Sequence, residues 1–152
     1  MTAAPPWRRV CAQVLTRHRG AILLLRPLDS PYWVLPGGNT RPQERPDAAA
    51  ARGMEDLTGL QWPIGPLLAV DHHAEQERYF LVFDGGGLPD RVATLVSLHG
   101  PALLSFAEFA FVASRELDRF ADPATEARIR AAISAVDSHR GVRLLHDGDP
   151  TP

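Results

Sequence analysis

The residues most able to do chemistry lie in residues 33–60, which read WVLPGGNTRPQERPDAAAARGMEDLTGL. The glycine pair that begins at Gly37 lets a ligand approach the backbone, because glycine has no side chain. Further along, Asp56 shares a helical face with positions 53 and 57, since residues at i, i+3 and i+4 lie together on a helix. Of these three positions only Asp56 is acidic. The stretch therefore combines an open backbone with a helical face that carries a single carboxylate.

The local sequence also predicts the elements that hold these residues. Residues 33–35 are apolar and predict a short strand, and the Pro-Gly-Gly of residues 36–38 predicts a turn. Pro46 suits the first position of a helix, where its missing N–H is not needed. Residues 48–51 are alanines that favour the helix, and Gly59 suits a left-handed cap at its end.

This stretch resembles the signature of the Nudix hydrolases, G-x5-E-x7-R-E-U-x-E-E-x-G-U, in which U is aliphatic. The positions that match, without any insertion, are Gly38, Glu44, Arg52, Met54, Gly59 and Leu60. Three positions differ from the signature. Gly53 stands where a glutamate follows the arginine, and Asp56 and Leu57 stand where the signature has two glutamates.

The resemblance implies a role for each matching residue. In the family the acidic helix face offers carboxylates to Mg²⁺ or Mn²⁺, which implies that Asp56 is a metal ligand and the residue on which catalysis depends. Gly38 is then expected beside the metal or the phosphates. Glu44 and Arg52 are implied as a structural pair between loop and helix, and Gly59 as the end of the helix. Because the other acids are missing, weak metal binding and no metal binding both stay open.

The reaction that the resemblance implies is hydrolysis of a nucleoside diphosphate linked to another moiety. Its ligand is a phosphorylated small molecule. One alternative is an inactive domain that binds a nucleotide or phosphorylated metabolite or serves a partner protein. A further alternative is a biosynthetic enzyme with altered chemistry, in which His72 or His73 acts as an acid–base group because histidine titrates near neutral pH.

Other residues are candidates for lining the substrate cleft beside Gly37. Trp33 could stack on a base, although aromatic residues in strands more often belong to the core. His72 and His73 are adjacent and alternate sides if they lie in a strand, so they bind one ion only if the segment is a loop. Glu108 lies in an apolar run and faces either the cleft or the solvent.

The rest of the chain predicts further strands and a C-terminal helix. The predicted strands cover residues 10–16, 21–26, 65–70, 78–84 and 106–112, with short strands at 93–98 and 142–145. Asp122 and Pro123 predict the start of the helix. The order of elements predicts an α+β fold. The resemblance narrows this fold to a Nudix-like α/β/α sandwich with a central mixed β-sheet.

Length and composition set the limits of these interpretations. The 152 residues suit a single domain, residues 1–152, with flexible ends at 1–6 and 146–152. With a formal net charge of -2, the chain lacks the excess of basic residues that is typical of a nucleic-acid-binding protein. No apolar run approaches a membrane span, and Cys11 alone forms no intrachain disulfide. We therefore expect a cytoplasmic protein without a nucleic-acid or membrane partner, and a homodimer stays open.

Overall fold

The computed structural model describes residues 9–150. Its strands are β1 (Val10–His18), β2 (Ala21–Pro27), β3 (Gly37–Asn39), β4 (Leu67–His73), β5 (Arg78–Gly87), β6 (Phe106–Ala113), β7 (Arg143–His146) and β8 (Asp149–Pro150). Its α-helices are α1 (Pro46–Thr58), α2 (Asp90–Ala93), α3 (Leu117–Phe120) and α4 (Pro123–Ser138). Two short 3₁₀ helices cover Gly100–Leu104 and Ser114–Glu116. None of the described helices is long and apolar enough to cross a membrane.

The strands of the described region form one mixed sheet. Its order is β6-β2-β1-β5-β4-β7-β8, and β3 pairs with β1 away from this path. β1 runs parallel to β5, with Cys11 opposite Phe80, and antiparallel to both β2 and β3. The β4–β5 hairpin is antiparallel, whereas β7 runs parallel to β4. The predicted mixed sheet is confirmed, and β1 connects the glycine strand β3 to it.

Helices cover both faces of this sheet. Successive residues of a strand point to opposite faces, so β1 contributes to two separate cores. The core under α1 includes Ala12, Val14, Leu23, Ala49, Ala50 and Met54. The core under α4 includes Leu15, Val82, Ile129, Ala132, Ala135 and Leu145. This arrangement confirms the predicted α/β/α sandwich.

The two long helices begin and end where the sequence predicts. Pro46 is the first residue of α1, and Gly59 closes the helix with φ of 79° and donates its N–H to the Glu55 carbonyl. At α4, the side chain of Asp122 accepts the backbone N–H of Thr125 at 2.7 Å. These caps satisfy backbone groups that a helix end leaves unpaired.

The predicted strand at residues 33–35 and the predicted glycine turn after it are both wrong. Val34 makes one isolated bridge to β2, and the strand consists of the glycine pair itself with Asn39. A Cβ placed on Gly37 would lie 2.8 Å from the Cα of Gln13 in β1. Glycine is therefore needed here for close approach of two strands, rather than for a turn.

The segment predicted as a short strand at residues 93–98 is not a strand. It begins in α2 and continues as irregular backbone over the end of α1, where the N–H of Ser97 donates to the Thr58 carbonyl at 3.2 Å. This contact uses the backbone of the segment against a helix end, and no strand of the described residues pairs with it.

The C-terminal part of the described chain forms two short strands, although residues 146–152 were predicted as a flexible end. β7 extends to His146, and β8 pairs with it at the edge of the sheet. The N–H of Gly148 donates to the buried carboxylate of Asp71 at 3.0 Å and holds the turn between β7 and β8. The predicted flexible residues 1–6, and residues 151–152, lie outside the described part of the chain.

Candidate functional site

Arg52 attaches helix α1 to the preceding loop and to β3. Its guanidinium donates to the two carboxylate oxygens of Glu44, at 2.9 and 3.0 Å, and to the carbonyl oxygen of Asn39 at 2.7 Å. Glu44 also accepts the backbone N–H of Arg41 at 2.9 Å. The hydrogen bond from Arg52 lowers the pKa of the Glu44 carboxyl to about 2. The pair therefore has the geometry of a charged structural clamp.

Gly53 of α1 is buried directly against the glycine strand. A Cβ on Gly53 would lie 2.5 Å from the Gly37 carbonyl oxygen and 2.7 Å from the Gly38 amide nitrogen. Side chains do not approach backbone atoms this closely, so any other residue would push α1 and β3 apart. A glycine within a helix costs about 1 kcal/mol relative to alanine. Here the close packing of α1 on β3 explains its presence.

Asp56 lies on the exposed side of α1. Its side chain is 53% exposed, and its Oδ2 atom is 3.8 Å from Nη1 of Arg52. The neighbouring acid, Glu55, accepts a hydrogen bond from Nε2 of Gln61 at 2.9 Å, beyond the end of the helix. Leu57 is half-buried and supplies no oxygen. Asp56 is thus a carboxylate whose nearby charged partner is an arginine.

These residues do not fit the divalent-metal cluster that the resemblance implied. Within residues 9–150, no three His, Cys, Asp or Glu side chains are grouped so that they could hold a metal ion. At Gly38, the guanidinium nitrogens of Arg52 lie 3.6 and 3.7 Å from the place of the missing Cβ. A positive charge therefore already stands beside this backbone. The backbone of Gly37 also fills the space that a carboxylate at position 53 would need.

Trp33 and Glu108 do not line a cleft with Gly37. Trp33 is only 8% exposed and meets the Phe120 ring edge-on, with 5.4 Å between ring centroids. It is a core residue and is not available to stack on a base. Glu108 points outward on β6 and forms an ion pair with Arg26 at 3.1 Å. Both candidate positions are thus corrected by the structure.

His72 and His73 lie in β4, which extends further than predicted, and they point to opposite sides of the sheet. The His72 ring stacks on Tyr79 with 4.6 Å between centroids. Nε2 of His73 lies 3.1 Å from Oδ2 of Asp71 and 3.0 Å from Nη2 of Arg128. The two histidines are therefore in separate environments and do not form one site.

The polar group around Arg128 is buried beneath α4. Arg128 is 2% exposed and Asp71 is fully buried. Nε of Arg128 donates to Asp71 at 3.1 Å, and Nη1 donates to Oε1 of Gln13 at 3.4 Å. The guanidinium also lies 3.8 Å from the ring centroid of Phe80. Burial lowers the pKa of Arg128, while the charge of Asp71 acts in the opposite direction.

Sequence reasoning missed this buried group. Asp71 stands at the start of a polar run that is typical of a loop, whereas it continues the inward-facing alternation that includes Ala69. Arg128 precedes Ile129 at the edge of the apolar helical stripe. The alternation of inward and outward residues in β4, continued by one more inward position, could have predicted that Asp71 is buried.

Comparison with known proteins supports the resemblance that the sequence showed. No family model matches the chain. Over 73 residues the chain is 29% identical to mouse diphosphoinositol polyphosphate phosphohydrolase 3-alpha, a match that covers 47% of this chain and 44% of that protein. The chain thus spans less than half the length of the curated relatives it matches.

Solved structures of other proteins resemble the fold of this chain over nearly its whole length. A Nudix hydrolase from Nitrosomonas europaea superimposes with a TM-score of 0.71 at 16% identity, covering 95% of this chain and 81% of that one. An ADP-ribose pyrophosphatase from Streptococcus suis 89-1591 also gives 0.71, at 12% identity, covering 91% and 98%. These similarities show a shared fold, which in this chain is a mixed sheet between helices. This chain has the Nudix fold, as the resemblance in residues 33–60 predicted.

Proposed function

We propose that this chain binds a phosphorylated small molecule where α1 meets β3, without hydrolysing it through metal chemistry on α1. The contact of Gly53 with the Gly37 backbone carries this proposal. This contact leaves no space for one carboxylate of the family's cluster. Leu57 puts an apolar side chain where the signature has a second carboxylate. The clamp between Arg52 and Glu44 nevertheless keeps the loop and helix in place. A loop–helix unit that keeps its geometry but lacks the acidic cluster suits ligand binding better than hydrolysis.

Arginine side chains near β3 supply positive charge for such a ligand. Nη1 of Arg52 lies 3.6 Å from the open position beside Gly38. Arg41 is exposed in the loop that follows β3, and Arg78 donates to Oδ1 of Asn39 at 2.7 Å. Guanidinium groups bind phosphate oxygens through paired N–H donors. Because Arg52 is already paired with Glu44, the positive charge that can balance phosphate at the half-exposed Gly38 backbone comes from Arg41 and Arg78.

The ligand class follows from the fold and its relatives. Two of the similar proteins are named for ADP-ribose and for diphosphoinositol polyphosphates, both of which contain a pyrophosphate. We propose a nucleoside diphosphate linked to another moiety as the first ligand to test. A single domain, a cytoplasmic location and the absence of a nucleic-acid partner stay predictions from the sequence, and a homodimer stays open.

The test is calorimetry with ADP-ribose, in Mg²⁺ and in EDTA, with chromatography of the same samples for AMP. We expect equal affinity in both buffers and no AMP. Arg41→Gln should weaken binding, because it removes a cation beside the ligand. Arg45→Gln is the matched control, since Arg45 pairs with Asp47 at 3.1 Å. Binding that EDTA abolishes, or no binding across ADP-ribose and diphosphoinositol polyphosphates, overturns the proposal.

Residual hydrolysis is the second candidate, and the exposure of Asp56 favours it. A carboxylate open to solvent on α1 is free to take part in a weak Mg²⁺ or Mn²⁺ site completed by the ligand's own phosphates. In the same assay this candidate predicts slow release of AMP that requires metal and is lost in Asp56→Ala. AMP release that persists in EDTA and in Asp56→Ala contradicts it.

A further inference from the structure

A cleft of about 620 Å³ lies between helix α4 and the β7–β8 hairpin. Its wall is apolar at Ala127, Ala131 and Leu145 and basic at Arg130 and Arg143. None of the described residues that line it is acidic. Since α4 covers the face of the sheet opposite α1, this cleft is separate from the junction of α1 and β3. We propose that it binds an apolar monocarboxylate, with the carboxylate on the guanidinium of Arg143.

Arg143 has hydrogen-bond donors that the protein does not use. One Nη donates to Oγ of Ser134 at 2.9 Å, but the buried Nε has no hydrogen-bond partner. None of the ion pairs among residues 9–150 includes Arg143. A guanidinium with unused donors and no ion-pair partner among the described residues favours an anion beside it. A carboxylate pairs with this guanidinium through charge-assisted hydrogen bonds.

The second arginine of the cleft is already neutralised. Nε of Arg130 donates to Oε2 of Glu126 at 2.8 Å, one turn earlier on α4. The cleft therefore presents one uncompensated positive charge, at Arg143. A single negative charge matches it, whereas a phosphate dianion would leave charge without a partner in an apolar cleft. This balance favours a carboxylate over a phosphate.

The apolar part of the cleft determines the body of the ligand. Leu145 is 4% exposed and forms its floor, while Val142 is 44% exposed at its side. Ligand pockets generally measure about 300–1,000 Å³ and are lined mainly by apolar groups. A hydrocarbon chain or ring of a carboxylic acid gains free energy by covering this apolar surface.

Decanoate is a suitable probe, and decan-1-ol is its uncharged control. Calorimetry on the full chain should show decanoate binding, with decanol at least about tenfold weaker, because it lacks the charged hydrogen bonds. Arg143→Gln should weaken decanoate binding by a similar factor. Arg140→Gln removes the same charge close by on an exposed residue that does not line the cleft, and binding should persist.

A second variant keeps the charge and fills the cleft. Ala127→Phe should abolish decanoate binding while leaving the circular dichroism spectrum and ADP-ribose affinity unchanged. If decanol binds as tightly as decanoate, or if decanoate affinity is the same in Arg143→Gln and Ala127→Phe as in the natural chain, the proposal is wrong. The result does not depend on the proposed function, because ADP-ribose is measured separately on the same variants.

Discussion

Gly53 of α1 faces Gly37 of β3 so closely that a Cβ on Gly53 would come within 2.5 Å of the Gly37 carbonyl oxygen. An alanine within a helix is normally more favourable than glycine by about 1 kcal/mol. At position 53 we expect the opposite, with glycine more favourable than alanine. Gly53→Ala should lower the free energy of unfolding by about 1–3 kcal/mol, as overpacking does. Urea denaturation measures the difference.

Gly38→Ala is the matched control for that substitution. A Cβ on Gly38 would meet Arg52 at 3.6 Å, which is an ordinary contact with a flexible side chain. Its free energy of unfolding should stay within about 0.5 kcal/mol of that of the natural chain. Equal stability of the two variants would show that α1 and β3 are not in tight contact.

Metal binding gives a second prediction. Gly53→Glu/Leu57→Glu restores two acids of the signature, yet we expect it to be less stable than the natural chain and to gain no affinity for Mn²⁺. The reason is that the β3 backbone occupies the space of the first glutamate. Mn²⁺ titration followed by electron paramagnetic resonance, with Leu57→Glu alone as control, makes the measurement. A stable double variant that binds Mn²⁺ tightly contradicts the geometry.

Acid should weaken the clamp between Glu44 and Arg52. The pKa of Glu44 is about 2 in the folded chain and 4.5 ordinarily, so its stabilisation is complete above pH 4.5 and is lost as pH falls through about 2. Glu44→Gln should lower the free energy of unfolding by about 1–3 kcal/mol at pH 7. It should also make the free energy of unfolding less dependent on pH between pH 4.5 and 2. Urea denaturation at several pH values tests this. If the free energy of unfolding of the variant falls with pH as steeply as that of the natural chain, other groups cause the acid sensitivity.

The buried ion pair should be costly to break. Arg128→Met leaves the fully buried Asp71 without its guanidinium, and we expect a loss of about 3–5 kcal/mol. Arg130→Met, two residues further on α4, breaks only a partly exposed pair with Glu126 and should cost at most about 1 kcal/mol. Thermal and urea denaturation compare them. Similar losses in both variants would mean that burial of the charge is not the decisive factor.

Sequence patterns predicted the fold well where local chemistry decides the structure. Pro46, Gly59 and Asp122 mark helix ends through backbone geometry and hydrogen bonds that need no distant partner. The glycine strand was missed for the opposite reason. Gly37 is glycine because β1 passes close to it, and a contact between segments distant in sequence leaves no local trace. The short strand β8 was hidden in the same way, since it depends on pairing with β7.

The candidate site was only partly predictable. The opposite charges of Glu44 and Arg52 and their positions in the signature predict that the two side chains pair, and the hydrogen bonds between them confirm it. Gly53 was visible as a missing acid, but its reason was not, since the neighbouring β3 backbone is a tertiary contact. Trp33 was open to two interpretations, core or cleft, and only its packing on Phe120 decides between them.

The contact between Gly53 and β3 also bears on how such a site can change over time. Where a missing acid leaves empty space, a single codon change restores it. In this chain the space is taken up by backbone, so a glutamate at position 53 brings a steric penalty before it brings any benefit. A functional acidic cluster on α1 therefore requires a shift of β3 or α1 before the glutamate can be accommodated, and a single substitution does not supply both changes.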